Sequence, residues 1–341
     1  MNQLTPRFAA SLAVFASTLV AQQLPGAPEE NGLTPKTATV YVNRLTAEII
    51  NLNNGNTESL GVAIANGGNV IVGWEDDGDA VTDLGAVWTL FDSAGVSITP
   101  DTVTTSVAPD AAGTATTKYL SYFRADGSAV GGGHSWGPKI KTNPFGDGMG
   151  MGATSWQLDL EVSALAGYDG NNQGDYPTVQ LLGNTGQPAG IVVGLAEAYA
   201  TRDPASIRIG DWEYLSNGNI LIVGESRQNQ DLVDLYGGTD AQTHAIFRIV
   251  QPDGTVVKTE TLVSETPVKS EIWHGAAVTQ DGFAIRFGGP AGATVRMFDN
   301  AGTPISTNID VGTLTGHPEA AGGGRGDSAG FHGNGKDAYV L

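Results

Sequence analysis

The chain of 341 residues has no cysteine, only 17 lysines and arginines against 36 aspartates and glutamates, and 7% aromatic residues. Without thiols there is no disulfide, no thiolate-bound metal and no cysteine nucleophile, so stability has to come from packing, hydrogen bonds and any bound ions. A formal charge of -19 argues against nucleic acid and anionic lipid as partners, because both are bound by basic surfaces that displace counterions. Cations and neutral polymers remain. Long helical patterns are missing too: the best candidates, Asp159–Ala166 and Val193–Ala200, are short and closed by Gly167 or by the Arg202, Asp203, Pro204 cluster. What is abundant is glycine, 48 residues, about twice average usage. With 40% hydrophobic residues the chain is too apolar for disorder and suits short strands joined by tight turns.

Residues 1–21 read as a secretory signal, with Arg7 ahead of the apolar run from Phe8 to Val20 and the small Ala21 before Gln22. That run, about 13 residues, falls short of the roughly 20 that a spanning helix needs. The expectation is export to the medium, the cell surface or a periplasm, with no membrane insertion once the signal is removed. Residues 22–36 read as a flexible linker, since Pro25, Pro28 and Pro35 each block helix or interior strand. From Thr37 an alternating, β-branched texture begins, and residues 37–341 read as one strand-rich region.

Two templates recur within it. The first is a glycine-containing turn leading into an apolar run: ANGGNVIVGW from Ala65, LSNGNILIVGE from Leu215 and VTQDGFAIRFGG from Val278. The second is an apolar strand, a polar turn with glycine and another short strand: VWTLFDSAGVSI from Val87, LSYFRADGSAV from Leu120, TVQLLGNTGQPA from Thr178, AIFRIVQPDGTVV from Ala245 and TVRMFDNAGTPI from Thr294. Both describe β-hairpins, and their alternation makes four-stranded units. Such units predict an all-β fold, a β-propeller of about five to seven four-stranded antiparallel blades, complete or incomplete, because one blade cannot bury both its faces whereas radial neighbours cover each other. FHGNGKDAYVL from Phe331 begins the first template again. Either the strand from Thr37 to Ile50 completes that last blade, or the repeats continue in a longer protein.

These runs resemble the blade repeats of secreted bacterial β-propellers, the delta-60-type among them, over residues 59 to 341. The resemblance implies fold far more than function. One stretch, Gly131 to Thr154, fits no blade.

Candidate chemistry sits in the loops. Asp76, Asp77, Asp79 and Asp83 crowd together after a strand, and Asp169, Asn171 and Asp175 alternate in a second acidic stretch. Hard oxygen ligands around a turning glycine suit Ca²⁺, although no glutamate closes either loop as an EF-hand requires; a solvated acidic surface is the plainer reading. His134, Trp136 and Asp147 lie in the stretch that fits no blade and are candidates for ligand contact, Trp136 as a stacking surface for a sugar, with a flexible glycine-rich excursion as the plainer reading. The five histidines are dispersed, without zinc-helix spacing, and no Walker loop is present. The sialidase Asp-box spacing is absent as well. Asp211-Trp212-Glu213 and Trp273-His274-Gly275 precede equivalent turns, so blade registry places them along a common seam; blade-packing tryptophans are favoured there over a ring of aromatics and carboxylates. Arg325-Gly326-Asp327 is a chance tripeptide.

The sequence therefore leans toward an exported, acidic, non-catalytic binding propeller for a glycan or cell-surface protein, with Ca²⁺ as its one candidate cofactor. The alternative is a glycoside or polysaccharide hydrolase or lyase using carboxylates in the central pocket. Carboxylates converging at catalytic separation would distinguish the two. A third reading is a structural repeat segment of a larger surface protein.

Overall fold

The computed structural model describes residues 56–65, 67–77, 85–96, 122–123, 129–130, 134–156, 175–186, 188–194, 207–226, 244–265, 272–289, 292–311, 332–333 and 339–340. The chain divides into two units, 1–44 and 45–341, and all described residues belong to the second. The candidate metal ligands Asp79, Asp83, Asp169 and Asn171 lie outside the described residues, as do the signal, linker and first-strand readings.

Among the described residues the regular structure is antiparallel sheet. The first sheet holds β1 (Asn56–Ile64), β2 (Val70–Asp77) and β3 (Gly85–Phe91); β4 (Tyr122–Phe123) and β5 (Ala129–Val130) form a short pair. Three complete four-stranded meanders follow: β6 (His134–Thr142), β7 (Met149–Trp156), β8 (Asp175–Leu182) and β9 (Pro188–Gly194); β10 (Ile207–Tyr214), β11 (Ile220–Ser226), β12 (His244–Val250) and β13 (Val256–Leu262); β14 (Ile272–Val278), β15 (Gly282–Gly289), β16 (Gly292–Asp299) and β17 (Ile309–Asp310). A final pair, β18 (His332–Gly333) and β19 (Tyr339–Val340), closes the series. The sheets stack in order, each through its first strand: β6 lies against β1, β2 and β3, β10 against β6, β7 and β8, β14 against β10, β11 and β12, and β18 against β14. Successive four-stranded meanders covering one another in this way are the blades of a β-propeller.

Stacking explains the apolar runs. Ile220 and Ile222 of β11 join Val179, Leu181, Trp212, Tyr214, Ile246 and Val250 between the second and third blades. The alternate residues Leu221 and Val223 join Phe247, Phe283, Phe287 and Phe298 between the third and fourth. A strand covered on both faces carries no polar alternation, which is why ILIV reads as one continuous run. Phe283 and Phe298 stack at 5.2 Å and Phe247 tilts against Phe298 at 4.8 Å, geometries that add to the area term.

Whereas the β14–β15 turn closes through the Thr279 N–H on the Gly282 carbonyl, in the first sheet and in β10–β13 the two templates turn out to be one turn used twice. In both, the glycine N–H bonds the carbonyl three residues back, and the strands close one residue later; Gly218 and Gly254 bond Leu215 and Gln251 at 2.9 Å. These glycines have φ near +85° (84° and 87°), a left-handed conformation that costs other residues energy. The first template joins a blade's first two strands and the second joins its last two. At the second-template turns asparagines tie neighbouring blades: the Asn184 carbonyl accepts from Asn69 Nδ2 (2.8 Å) and Asn300 Nδ2 donates to Ser216 Oγ (2.9 Å), while the Asn300 bond to the Gln280 carbonyl (3.0 Å) stays within its own blade. At the seam where the equivalent turn carries Pro252, Phe145 instead packs into the next blade's core.

Two sequence readings are corrected here. The stretch from Gly131 to Thr154 is no excursion: its residues from His134 onward form β6, a turn and most of β7. Gly150 within it is steric, because a Cβ there would stand 2.7 Å from Trp212 Cη2 and 2.8 Å from the Gln180 carbonyl. Bulk at that face is supplied by Trp212, fully buried, whose Nε1 donates to the Lys139 carbonyl at 2.7 Å. The second correction concerns Val193–Ala200: Val193 and Gly194 end β9 rather than begin a helix.

Replacing Gly150 by alanine is expected to destabilise the protein by about 1–3 kcal/mol through overpacking, while Asn300→Ala should cost about 1–2 kcal/mol for lost hydrogen bonds. Urea unfolding midpoints for both variants test this, and a neutral Gly150→Ala would contradict the packing described.

Candidate functional site

Every first strand of the four larger sheets breaks register at the same place: between Glu58 and Gly61 in β1, Trp136 and Lys139 in β6, Ile209 and Asp211 in β10, and Ile272 and Gly275 in β14. A bulge re-aims the side chains that follow it, and bulges gather beside functional sites. The first strand is also the one that borders the central axis of a propeller. Four bulges at equivalent positions therefore define a band along the strand edges nearest that axis.

Ionisable side chains converge in this band on β10. Lys141, from β6 of the preceding blade, places Nζ 2.9 Å from Asp211 Oδ1 and 2.6 Å from Glu213 Oε1. The bulge at Gly210 sets up the arrangement, since a Cβ there would lie 2.6 Å from Cβ of His274 in the following blade. Only glycine lets β10 and β14 approach so closely. Asp211 then reaches both ways: Oδ1 accepts the Trp212 N–H at 2.9 Å, and Oδ2 accepts the Ala276 N–H of β14 at 3.0 Å. Thus three consecutive blades meet on one carboxylate. Glu213 is held differently, its partner among the described residues being Lys141.

The carboxylates are 11% exposed and Lys141 18%, so desolvation is large. Burial would favour a neutral Lys141, but the combined attraction of Asp211 and Glu213 outweighs it and holds the ammonium above its usual range. For Glu213 the balance reverses. Burial dominates, the attraction of Lys141 only partly offsets it, Asp211 adds repulsion, and the carboxyl is pushed up to about 7. A group poised there can exchange a proton near neutrality. Since both carboxylate oxygens touch one nitrogen, they stand at most about 5.5 Å apart, within the separation of a retaining glycosidase pair.

The sequence flagged Asp211, Glu213 and His274 and missed Lys141. Trp212 is the blade-packing residue expected of it. His134 and Trp136 begin β6, whereas Asp147 sits in the turn at its other end, exposed. Eight residues at roughly 3.3 Å each keep Asp147 far from His134, so these three do not share one site. Asp76 and Asp77 are the last residues of β2, paired with Thr57 and Asn56, and Asp175 begins β8 opposite Trp156. No cluster of three or more His, Asp or Glu that would hold a metal occurs among the described residues. None of their helices is long and apolar enough to cross a membrane.

No protein-family model and no curated protein sequence matches the chain. Among solved structures it is similar to a Hadza microbial sialidase (11% identity, TM-score 0.41, 72% of this chain) and spans 45% of that protein's length. A protein of unknown function from Dyadobacter fermentans is similar at 12% identity and TM-score 0.43, covering 76% of this chain and 70% of that one. The GH93 α-L-arabinofuranosidase of Fusarium graminearum is similar at 14% identity and TM-score 0.37, covering 76% and 82%. At these values the likenesses carry no argument about chemistry, and nothing in them singles out delta-60-type repeats.

Glu213 makes stability depend on pH. Its carboxyl titrates at about 7 in the folded protein against 4.5 when unfolded, so its contribution is fully present below 4.5 and lost as pH rises through 7. Glu213→Gln keeps the neutral form at every pH. Its melting midpoint is expected to gain on that of the unaltered protein between pH 5 and pH 8, and a constant difference would overturn the assignment.

Proposed function

We propose that the chain is an exported, glycan-active propeller that cleaves a glycosidic bond at the edge of β10, with Glu213 as acid and base and Asp211 as its partner carboxylate. One observation carries the reading: two carboxylates stand no more than about 5.5 Å apart, a limit that admits the spacing for hydrolysis with retention, and one holds its proton to about pH 7. At that spacing the protonated Glu213 gives its proton to the departing glycosidic oxygen while the Asp211 carboxylate bonds to the anomeric carbon. Glu213, now ionised, then takes a proton from the water that releases the sugar and restores Asp211. The weak likeness to a sialidase and to arabinofuranosidases is compatible with this chemistry and does not support it further.

A second reading rests on a separate observation. Asp211 already accepts two backbone N–H bonds and an ammonium, the satisfaction expected of a structural lock, and a propeller with such a lock binds glycan or a cell-surface protein without turnover.

Release of reducing sugar from a panel of aryl glycosides and polysaccharides decides between them. Glu213→Gln is expected to lower kcat/KM by about 100-fold or more while remaining folded at pH 5. Retention on a glycan array with no turnover on any substrate would favour the binding module instead.

A further inference from the structure

We infer that Lys141 is a positioning residue that moves between two partners: when Glu213 takes up a proton, the ammonium passes wholly to Asp211 and leaves the Glu213 carboxyl free at the edge of β10. Only the use made of that free carboxyl rests on the glycosidase reading.

The two carboxylates are anchored unequally. Asp211 is fixed by N–H groups from its own strand and from β14, at 2.9 and 3.0 Å. Glu213 has Lys141 as its hydrogen-bond partner among the described residues. Lys141 approaches from a different blade on a long, flexible stem, with Nζ already within bonding distance of both. A bond from an ammonium to an ionised carboxylate is roughly twice as strong as one to a neutral acceptor. Neutralising Glu213 therefore removes the reason for sharing, and the immobile Asp211 keeps the cation.

The surrounding charges allow this. Lys141 on β6 and Asp211 on β10 act directly on Glu213. Lys139 lies two residues before Lys141 on the same strand, with its carbonyl bound by Trp212. Arg208 lies on β10 itself. From β14, His274 packs against Gly210, and Arg286 stands opposite Gly275 in the β14–β15 register. From β11, Leu221 faces Glu213 across the pair and brings no charge.

The test is the carboxyl ¹³C resonance of Glu213 followed by NMR against pH in the whole protein, which needs no substrate. Lys141→Met is expected to raise the titration midpoint by about one pH unit or more, Asp211→Asn to lower it, and Lys141→Arg to leave it near that of the unaltered protein. An unmoved or lowered midpoint in Lys141→Met overturns the proposal. Should that variant fail to fold, Asp211→Asn decides by the opposite sign, and a midpoint that does not fall overturns it equally. Shifted midpoints without hydrolysis on the glycoside panel would sink the glycosidase reading and leave the moving lysine intact. Hydrolysis with unmoved midpoints would do the reverse.

Discussion

The packing between the blades follows from middle strands that have no solvent face. A middle strand such as β11 sends Ile220 and Ile222 to one neighbour and Leu221 and Val223 to the other, so each blade must be complementary in volume to two others at once. Close packing leaves little tolerance for error. The gap above Gly150 exists because Trp212 fills it, and the gap at Gly210 exists because His274 does. With Trp212 and Tyr214 bonded to carbonyls of Lys139 and Met149 at 2.7 Å, β10 is held to the preceding blade. Through Asp211 it is held to the following one. The position of the charged cluster is thus a consequence of blade packing rather than of a loop.

How legible this was depended on whether a residue's role was local. The glycine turns were readable, because a left-handed residue closing a polar turn is a local requirement, and so were the apolar middle strands, which announce burial on both faces. The stretch from Gly131 to Thr154 was not. Its alternating Met-Gly pattern looks flexible in isolation, yet Met149 and Met151 are buried and Gly150 makes room for a tryptophan far along the chain. Glycine's meaning there is set by its partner, which no local window contains. Val193 was misread for a related reason: the helical pattern after it is locally plausible, whereas the pairing of Val193 with Val179 is tertiary.

For the site, the sequence aligned Asp211-Trp212-Glu213 with Trp273-His274-Gly275; both lie in the band of bulges, but the strand registers put Asp211 level with Gly275, two residues off that alignment. Lys141 escaped notice because a lysine alternating with an isoleucine along a strand, as Lys139-Ile140-Lys141 does, normally faces water. A usable signal was present all the same. Two carboxylates flanking a tryptophan that must be buried cannot both point to solvent on a strand covered by neighbours, and burying them requires a cation. Only two lysines lie on the preceding first strand, at Lys139 and Lys141.

Stability alone does not account for the cluster. A buried ion triad costs more to desolvate than it commonly returns, and apolar residues of similar volume would serve a seam between blades at least as well. Asp211 is compensated by two backbone donors, so its burial is explained by the link it makes between blades. Glu213 has no such compensation, and its carboxyl is driven up to about 7 by the very packing that fixes β10. A residue that breaks a local rule while its neighbour two positions away obeys it is where function is expected to reside. The same enclosure that makes Glu213 expensive also sets its proton affinity, so the fold cannot lower that cost without losing the property that makes the residue useful.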